Sequence, residues 1–344
     1  MKAFAIDRYK GDLTKRDVPD PAPGPNDVVV AIAATSVNPI DLKLRDGEFK
    51  ALLPQQMPLI LGGDLSGVVI AVGSNVRRFK PGDEVFAHPD NDRIGTFAEL
   101  IAIAEADLAF KPVSLDMTHA ASLPLVALTA WQVLVERAQV KPEQKVLIHA
   151  GSGGVGTIAI QLAKHLGATV ATTTSTRNVD LVRSLGADVV IDYHKDDFTK
   201  LLSGYDVVLN SLGQDVLEKS LSVLKPGGKL ISISGPPDPA FGRQIGASWF
   251  VRQLLGFLSS KIRGKTKKQG VDYSFLFMRA DGAQLAEIAK LVDAGTIRPV
   301  IDSVFGFDET PAAIKRVESG RSRGKVVIRV SGDAAPGGHL EIID

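Results

Sequence analysis

Residues 146–170 read VLIHAGSGGVGTIAIQLAKHLGATV, an apolar run that breaks into Gly151, Gly153, Gly154 and Gly156 and continues in a helical pattern. Gly151, Gly153 and Gly156 fit the spacing GxGxxG. Between a strand and a helix, glycines at that spacing allow the tight bend, the approach of backbone to a pyrophosphate and close helix-to-strand packing. The helix N-terminus then adds free N–H groups and a partial positive charge. The spacing alone is a weak signal, because glycine turns also serve packing. The strand before it, the helix after it and the regular units downstream turn it into a phosphate cradle for a dinucleotide. No Gly-Lys-Ser/Thr follows, so it is not a nucleoside triphosphate loop.

Outward from this loop, "KVLIHA", "TVATTT", "DVVID", "DVVLN" and "KLISIS" read as strands, with helices expected around 154–166, 177–185 and 214–224. Alternation at that pitch implies a parallel sheet covered on both faces, so the fold class is α/β. Up to about residue 118 the texture differs: short apolar runs such as "DVVVAIAATSV" and "GDLSGVVIAVG" are broken by Pro and Gly, as in a small irregular barrel. After Pro299 the β texture returns and ends in "GKVVIRV", which is expected to rejoin the first domain. The closing "SGDAAPGGHLEIID" lacks periodicity and reads as a loose tail.

Composition narrows the class of partner. With 344 residues, 44% hydrophobic and 23% charged, the chain is an ordinary globular protein of about two domains. A formal net charge of +1 offers no global field for nucleic acid. No apolar run approaches the ~20 residues of a membrane span. The opening "MKAFAIDRYK" carries no targeting pattern, and a cytoplasmic location is expected. The absence of cysteine removes disulfides and thiolate ligands together.

The end of the second strand of the α/β region distinguishes the two nicotinamide cofactors. An NAD site usually places Asp or Glu there to bind the ribose 2'-hydroxyl. This chain has "TTTSTRN", with Thr173 or Thr174 in the acid's place, followed by Ser175 and Arg177. A hydroxyl and a guanidinium bind a 2'-phosphate that a carboxylate would repel, which points to NADPH.

With "TSVNPIDLKLRDG", "LPLVALTAW", "AGSGGVGTIAIQLAK", "SLGADVVIDY", "VLKPGGKLISI" and "AGTIRPVIDSVFGFDETPAAIKRVESGRSRGKVVI", the chain resembles the zinc-independent quinone and enone oxidoreductases of the medium-chain dehydrogenase/reductase superfamily. The last stretch looks most like the subgroup of plant enone reductases and the reticulon-interacting mitochondrial oxidoreductase. The resemblance spans Met1 to Val330. It implies a GroES-like β-barrel catalytic domain over 1–122, completed by about 296–332, and a Rossmann NADPH-binding domain over 123–295 with a basic apolar insertion at 239–270. Residues 333–344 form the tail. It further implies Asn38 and Thr129 near the nicotinamide, and Ser152, Gly153, Gly154, Val155 and Gly156 near the pyrophosphate. Ser175, Arg177 and Tyr193 fall near the 2'-phosphate, Ser211, Ile233 and Phe275 on the far wall, and Arg321, Ser322, Arg323 and Lys325 on the C-terminal arm.

The resemblance also implies what is missing. Zinc-dependent relatives place a catalytic Cys where this chain has Asn38, a His-Glu pair at Gly63 and Asp64, and a further Cys near Leu125. No metal is therefore expected. His149 reads as a buried core histidine, and the remaining histidines show no ligand spacing. Without a Lewis acid the hydride acceptor should already be electrophilic: a quinone, or an α,β-unsaturated carbonyl (an enone or enal). Asn38 is the candidate for orienting the nicotinamide or donating to the acceptor oxygen; as a turn former before Pro39 it has an equally simple reading. Phe49 stands where several quinone reductases carry a tyrosine, so no side-chain acid is evident.

Residues 241–268 carry seven Lys or Arg, no acid, and apolar residues at helical spacing. They read as a lid over the cleft or a dimer contact, with peripheral membrane contact as the other reading. The sequence therefore indicates an NADPH-dependent reductase of a small quinone or enone substrate, expected as a homodimer. A 2-enoyl thioester reductase is the alternative within enzymes. From another class, the rival is an NADPH-binding, membrane-associated or interaction protein with incidental turnover.

Overall fold

The computed structural model describes residues 1–331; the tail expected at 333–344 lies outside them. In chain order the strands of the first part are β1 (Lys2–Ile6), β2 (Thr14–Asp17), β3 (Asp27–Val37), β4 (Leu59–Ile60), β5 (Asp64–Val72), β6 (Glu84–Ala87), β7 (Leu100–Ala104) and β8 (Leu108–Phe110). Those that follow are β9 (Lys145–Ile148), β10 (Thr169–Thr174), β11 (Val189–Asp192), β12 (Tyr205–Asn210), β13 (Leu224–Ser232), β14 (Asp272–Phe275), β15 (Ile301–Gly306) and β16 (Lys325–Arg329).

β3 is the spine of the barrel. Its eleven residues, DVVVAIAATSV, are almost all buried, and β-branched Val and Ile suit a pleated surface packed on its neighbours. β5 runs antiparallel along it, while β7 takes the opposite edge beside Asp27–Ala31 and β16 takes that edge beside Ala34–Val37. The sheet order is β15-β16-β3-β5-β6-β8, with β7 on β3, packed around Val28, Val30, Leu65, Val85 and Ile103. β1, β2 and β4 form a small separate sheet. The chain's last strands thus return to the barrel, 288 residues after Val37 in the case of Lys325.

The second sheet is parallel throughout, in the order β11-β10-β9-β12-β13-β14. This is the doubly wound Rossmann order, so the protein is α/β with a GroES-like barrel beside a Rossmann sheet. β9 carries Val146, Leu147 and Ile148, all fully buried, as a strand covered on both faces requires. Its neighbours β10 and β12 lead the chain off in opposite directions, and such a switch point opens a crevice at the strand ends. The glycine loop leaves β9 at that crevice and enters the helix Gly154–His165.

The insertion is three helices: Pro239–Gln244, Trp249–Leu258 and Ser260–Lys268. The single stripe read from spacing is broken, because Ser259 ends the second helix and its hydroxyl turns back to Leu255 O at 2.8 Å. β14 follows as the sixth strand of the parallel sheet, an element the strand pattern alone did not mark.

Candidate active site and cofactor cleft

The glycine turn is held by close contacts. A Cβ on Gly151 would lie 2.0 Å from Thr172 Oγ1, and one on Gly156 would lie 2.3 Å from Ala150 O. Both positions need glycine for packing. Gly153 differs, since the nearest atom to an added Cβ is Ala150 O at 3.3 Å; a side chain there would enter the hollow above the loop. That open side next to a helix N-terminus fits a pyrophosphate. The C-terminal arm closes the loop from the barrel side, where Gly324 N–H donates to Ser152 O at 2.9 Å.

Beyond the loop lies a cleft of about 470 Å³ between the barrel and the parallel sheet, within the ordinary size of ligand pockets. Among the residues expected at the site, Asn38, Thr129, Gly153, Gly154, Val155, Gly156, Ser211, Ile233, Phe275, Ser322 and Lys325 all line it. Phe49, Phe277 and Met278 complete an apolar wall. Phe277 and Met278 escaped the sequence reading; the alternation in "YSFLFM" after the insertion was the available signal. A second hollow holds Ser175, Arg177, Tyr193, His194 and Arg321, and Gly320 borders both. Ser152 and Arg323 line neither. The Ser152 hydroxyl accepts from Asn178 Nδ2 at 2.9 Å and Thr174 Oγ1 at 3.1 Å, and Arg323 N–H donates to Asp302.

The second hollow has no carboxylate among its lining residues. Thr173 and Thr174, at the end of β10, are buried and tied internally, Thr173 to the His149 ring at 3.1 Å. Arg177 is exposed, with Nη2 donating to Arg321 O at 3.0 Å. The neighbouring acid, Asp192, is occupied by Thr176 Oγ1 at 2.6 Å and by Lys195.

The cleft's polar end is a buried network centred on Asp64, which the residue pattern did not reveal. Asp64 is fully buried and its carboxylate accepts from Ser36 Oγ (2.7 Å), Asn38 Nδ2 (2.8 Å), Leu125 N (2.8 Å) and Lys325 Nζ (3.2 Å). Burial alone would raise this carboxyl. The Lys325 charge and the Asn38 and Ser36 hydrogen bonds outweigh burial and hold it below the usual range. Lys325 Nζ also donates to Asn38 Oδ1 and to Val37 O at 3.1 Å. Asn38 therefore spends its carbonyl and one N–H on the network and keeps one N–H.

Asn38 is also the N-cap of the helix Pro39–Arg45, and its backbone N–H donates to Asp41 Oδ2 at 2.7 Å. Burial pushes the Asp41 carboxyl up to about 7. His88, which no sequence pattern marked, sits where a Gly63 side chain would be: an added Cβ would meet its Nε2 at 2.5 Å. Burial lowers the His88 pKa, against the pull of Asp64. His149 is buried, bonded to Ser220 at 2.9 Å and lowered to about 4 by burial.

Barrel, doubly wound sheet, glycine loop and intervening cleft together place the chain in the medium-chain dehydrogenase/reductase superfamily, among the quinone and enone oxidoreductases; it is an oxidoreductase with a nicotinamide cofactor site. Residues 24–112 match the alcohol dehydrogenase GroES-like domain, and residues 185–328 match the family described as zinc-binding dehydrogenase. The chain is 36% identical over 358 residues to the mitochondrial NAD(P)H oxidoreductase RTN4IP1 of Danio rerio, covering 97% of this chain and 92% of that protein. It is 34% identical over 341 residues to the chloroplastic NADPH-dependent alkenal/one oxidoreductase of Arabidopsis thaliana, covering 95% and 79%. The solved quinone oxidoreductase of Coxiella burnetii superposes with a TM-score of 0.81 at 33% identity, covering 96% and 99%.

The donor set does not suit the zinc of the second family's description. Gly63 has no side chain, the chain has no cysteine, and Asp64 is saturated by the network above. Among the described residues no three His, Cys, Asp or Glu converge as ligands, and no helix is long and apolar enough to cross a membrane.

Proposed function

We propose that this protein is an NADPH-dependent reductase that delivers hydride to a quinone or an α,β-unsaturated carbonyl. The observation that carries the reading is the pair of adjoining hollows. One offers hydroxyls and arginines without a carboxylate; the other is apolar, with Lys43 and Lys325 as its ionisable side chains. In this reading residues 123–295 are the cofactor unit, and the barrel with the returning arm is the acceptor side.

The bound nicotinamide supplies the hydride. The chain's own part is placement and electrostatics. N–H groups at the start of Gly154–His165 hold the pyrophosphate, and Ser175, Arg177, Tyr193 and Arg321 hold the 2'-phosphate. Asp64 and Lys325 fix the Asn38 amide, leaving one N–H for the nicotinamide carboxamide or the acceptor oxygen. Lys43 lines the same cleft and enters no ion pair among the described residues, so it favours the enolate or hydroquinone anion as charge develops. No carboxylic acid or histidine lines the cleft; the final proton comes from water.

The test is NADPH oxidation, followed by absorbance, against quinones, enones and 2-enoyl thioesters. Quinones or enones should turn over; exclusive use of thioesters, or none of the three, would reject the proposal. Replacing Arg177 by Ala should raise KM for NADPH by roughly ten- to a hundredfold, the value of a hydrogen bond to a charged group. KM for NADH should change less than about twofold, and an equal loss for both cofactors would remove the 2'-phosphate assignment. A homodimer is part of the same reading, because β14 has a hydrogen-bonded neighbour on one side only. Sedimentation of the purified protein checks it.

A further inference from the structure

Five large apolar side chains lie exposed on one helix of ten residues: Trp249, Phe250, Leu254, Phe257 and Leu258, at 49–75% of full accessibility. Phe250, Leu254, Phe257 and Leu258 recur at i, i+4, i+7 and i+8 and so form one stripe. On the helix's other side Leu255 is buried and Val251 half-buried. Val251 and Leu255 pack with Phe241, Phe275 and Phe277, and the last two line the cleft. The same helix is thus the outer backing of the cleft wall and an apolar surface turned to solvent, where a contiguous patch marks an interaction site.

The charge beside the stripe selects its occupant. Ser260–Lys268 follows directly and buries only Ile262 and Thr266, leaving Lys261, Arg263, Lys265, Lys267 and Lys268 exposed. Lys261 and Lys265 share the single carboxylate of Glu218, at 2.9 and 2.5 Å. Arg243, Arg263, Lys267 and Lys268 enter no ion pair among the described residues, and 241–268 contains no acid. A two-fold contact between copies through this stripe would bring two such basic segments together. An anionic bilayer surface complements both features, taking aromatics into the headgroup layer and basic groups against lipid phosphates.

We propose that Trp249–Lys268 docks the protein on an anionic lipid surface and presents the cleft to acceptors carried in the membrane. Docking stands on the helix pair alone; uptake of a lipid-borne acceptor rests on the reductase reading above.

Co-sedimentation with phosphatidylcholine vesicles, with and without phosphatidylserine, tests docking. Binding should require phosphatidylserine and weaken with salt. The exposed-site double variant F250S/F257S should partition about tenfold less well, and R263Q/K267Q/K268Q roughly a hundredfold less, at about fivefold per basic residue. Failure to bind anionic vesicles, equal binding to neutral ones, or wild-type binding by both variants overturns the proposal. So does a solution dimer that F250S/F257S converts to monomer, which would give the stripe to a second copy. Oxidation of NADPH by a short-chain soluble quinone without vesicles checks the reductase reading separately. With that activity intact in both proteins, a long-chain quinone in anionic vesicles should be reduced at least about fivefold faster by the wild type than by F250S/F257S. Equal rates overturn uptake.

Discussion

At the scale of single residues, Asp64 and Lys325 organise the polar end of the cleft. Their side chains are 0% and 6% exposed, and each satisfies the other across 3.2 Å. A buried pair adds little over an apolar pair of the same volume, but a lone buried charge is costly. Replacing Lys325 by Met should therefore lower unfolding free energy by about 3–5 kcal/mol in urea titration. Adding Asp64→Leu should return part of that loss, a non-additivity that marks direct coupling. Two losses that merely sum would show that the pair is not coupled. Asn38 is legible in the sequence as a candidate, yet its partners are not: Lys325 lies 287 positions away. No periodicity or spacing rule spans that distance.

Among the elements, the glycine loop sets tightly packed positions beside an open one within six positions. Gly156→Ala forces a Cβ to 2.3 Å from Ala150 O and 2.7 Å from Gly151 Cα, so the helix cannot keep its approach to β9. Overpacking of this kind typically costs about 1–3 kcal/mol. At Gly153, Ala meets only Ala150 O at 3.3 Å; it should leave the urea midpoint nearly unchanged while weakening binding of the reduced cofactor by about tenfold or more, because its methyl would enter the hollow proposed for the pyrophosphate. Fluorescence titration and urea unfolding of the two variants distinguish these outcomes. The loop and its flanking strand and helix were legible because their signals are local. The basic insertion was only half legible: spacing gave helix, but the break at Ser259 and the division into buried and exposed faces depend on what Leu255 and Val251 pack against.

For the whole molecule, two buried groups set opposing pH dependences. The unfolded chain protonates His149 below its ordinary value near 6.5, whereas the folded protein resists until about 4, so acidification across that window destabilises. Asp41 acts the other way. Unfolded, it ionises above about 3.8; folded, it keeps its proton up to about 7, so stability falls as pH rises through that range and returns on acidification. Urea midpoints of Asp41→Asn between pH 7 and 4 should therefore fall more steeply than those of the wild type, and those of His149→Gln less steeply. Coincident slopes for all three proteins would show that neither group is shifted. Local residue patterns were enough for the parallel sheet, the glycine-rich loop, the replacement of the usual acid by Thr, Ser and Arg, and the loss of thiolate ligands. All of these are written in neighbouring residues, whose side-chain periods and backbone freedoms act over one turn or one strand. Folding in three dimensions was needed to show that the returning strand pairs with β3, that Lys325 meets Asp64 and Asn38 there, and that the helix backing the cleft carries a naked apolar face on its far side. Those depend on which distant surfaces exclude water together, and burial is a property of the folded whole.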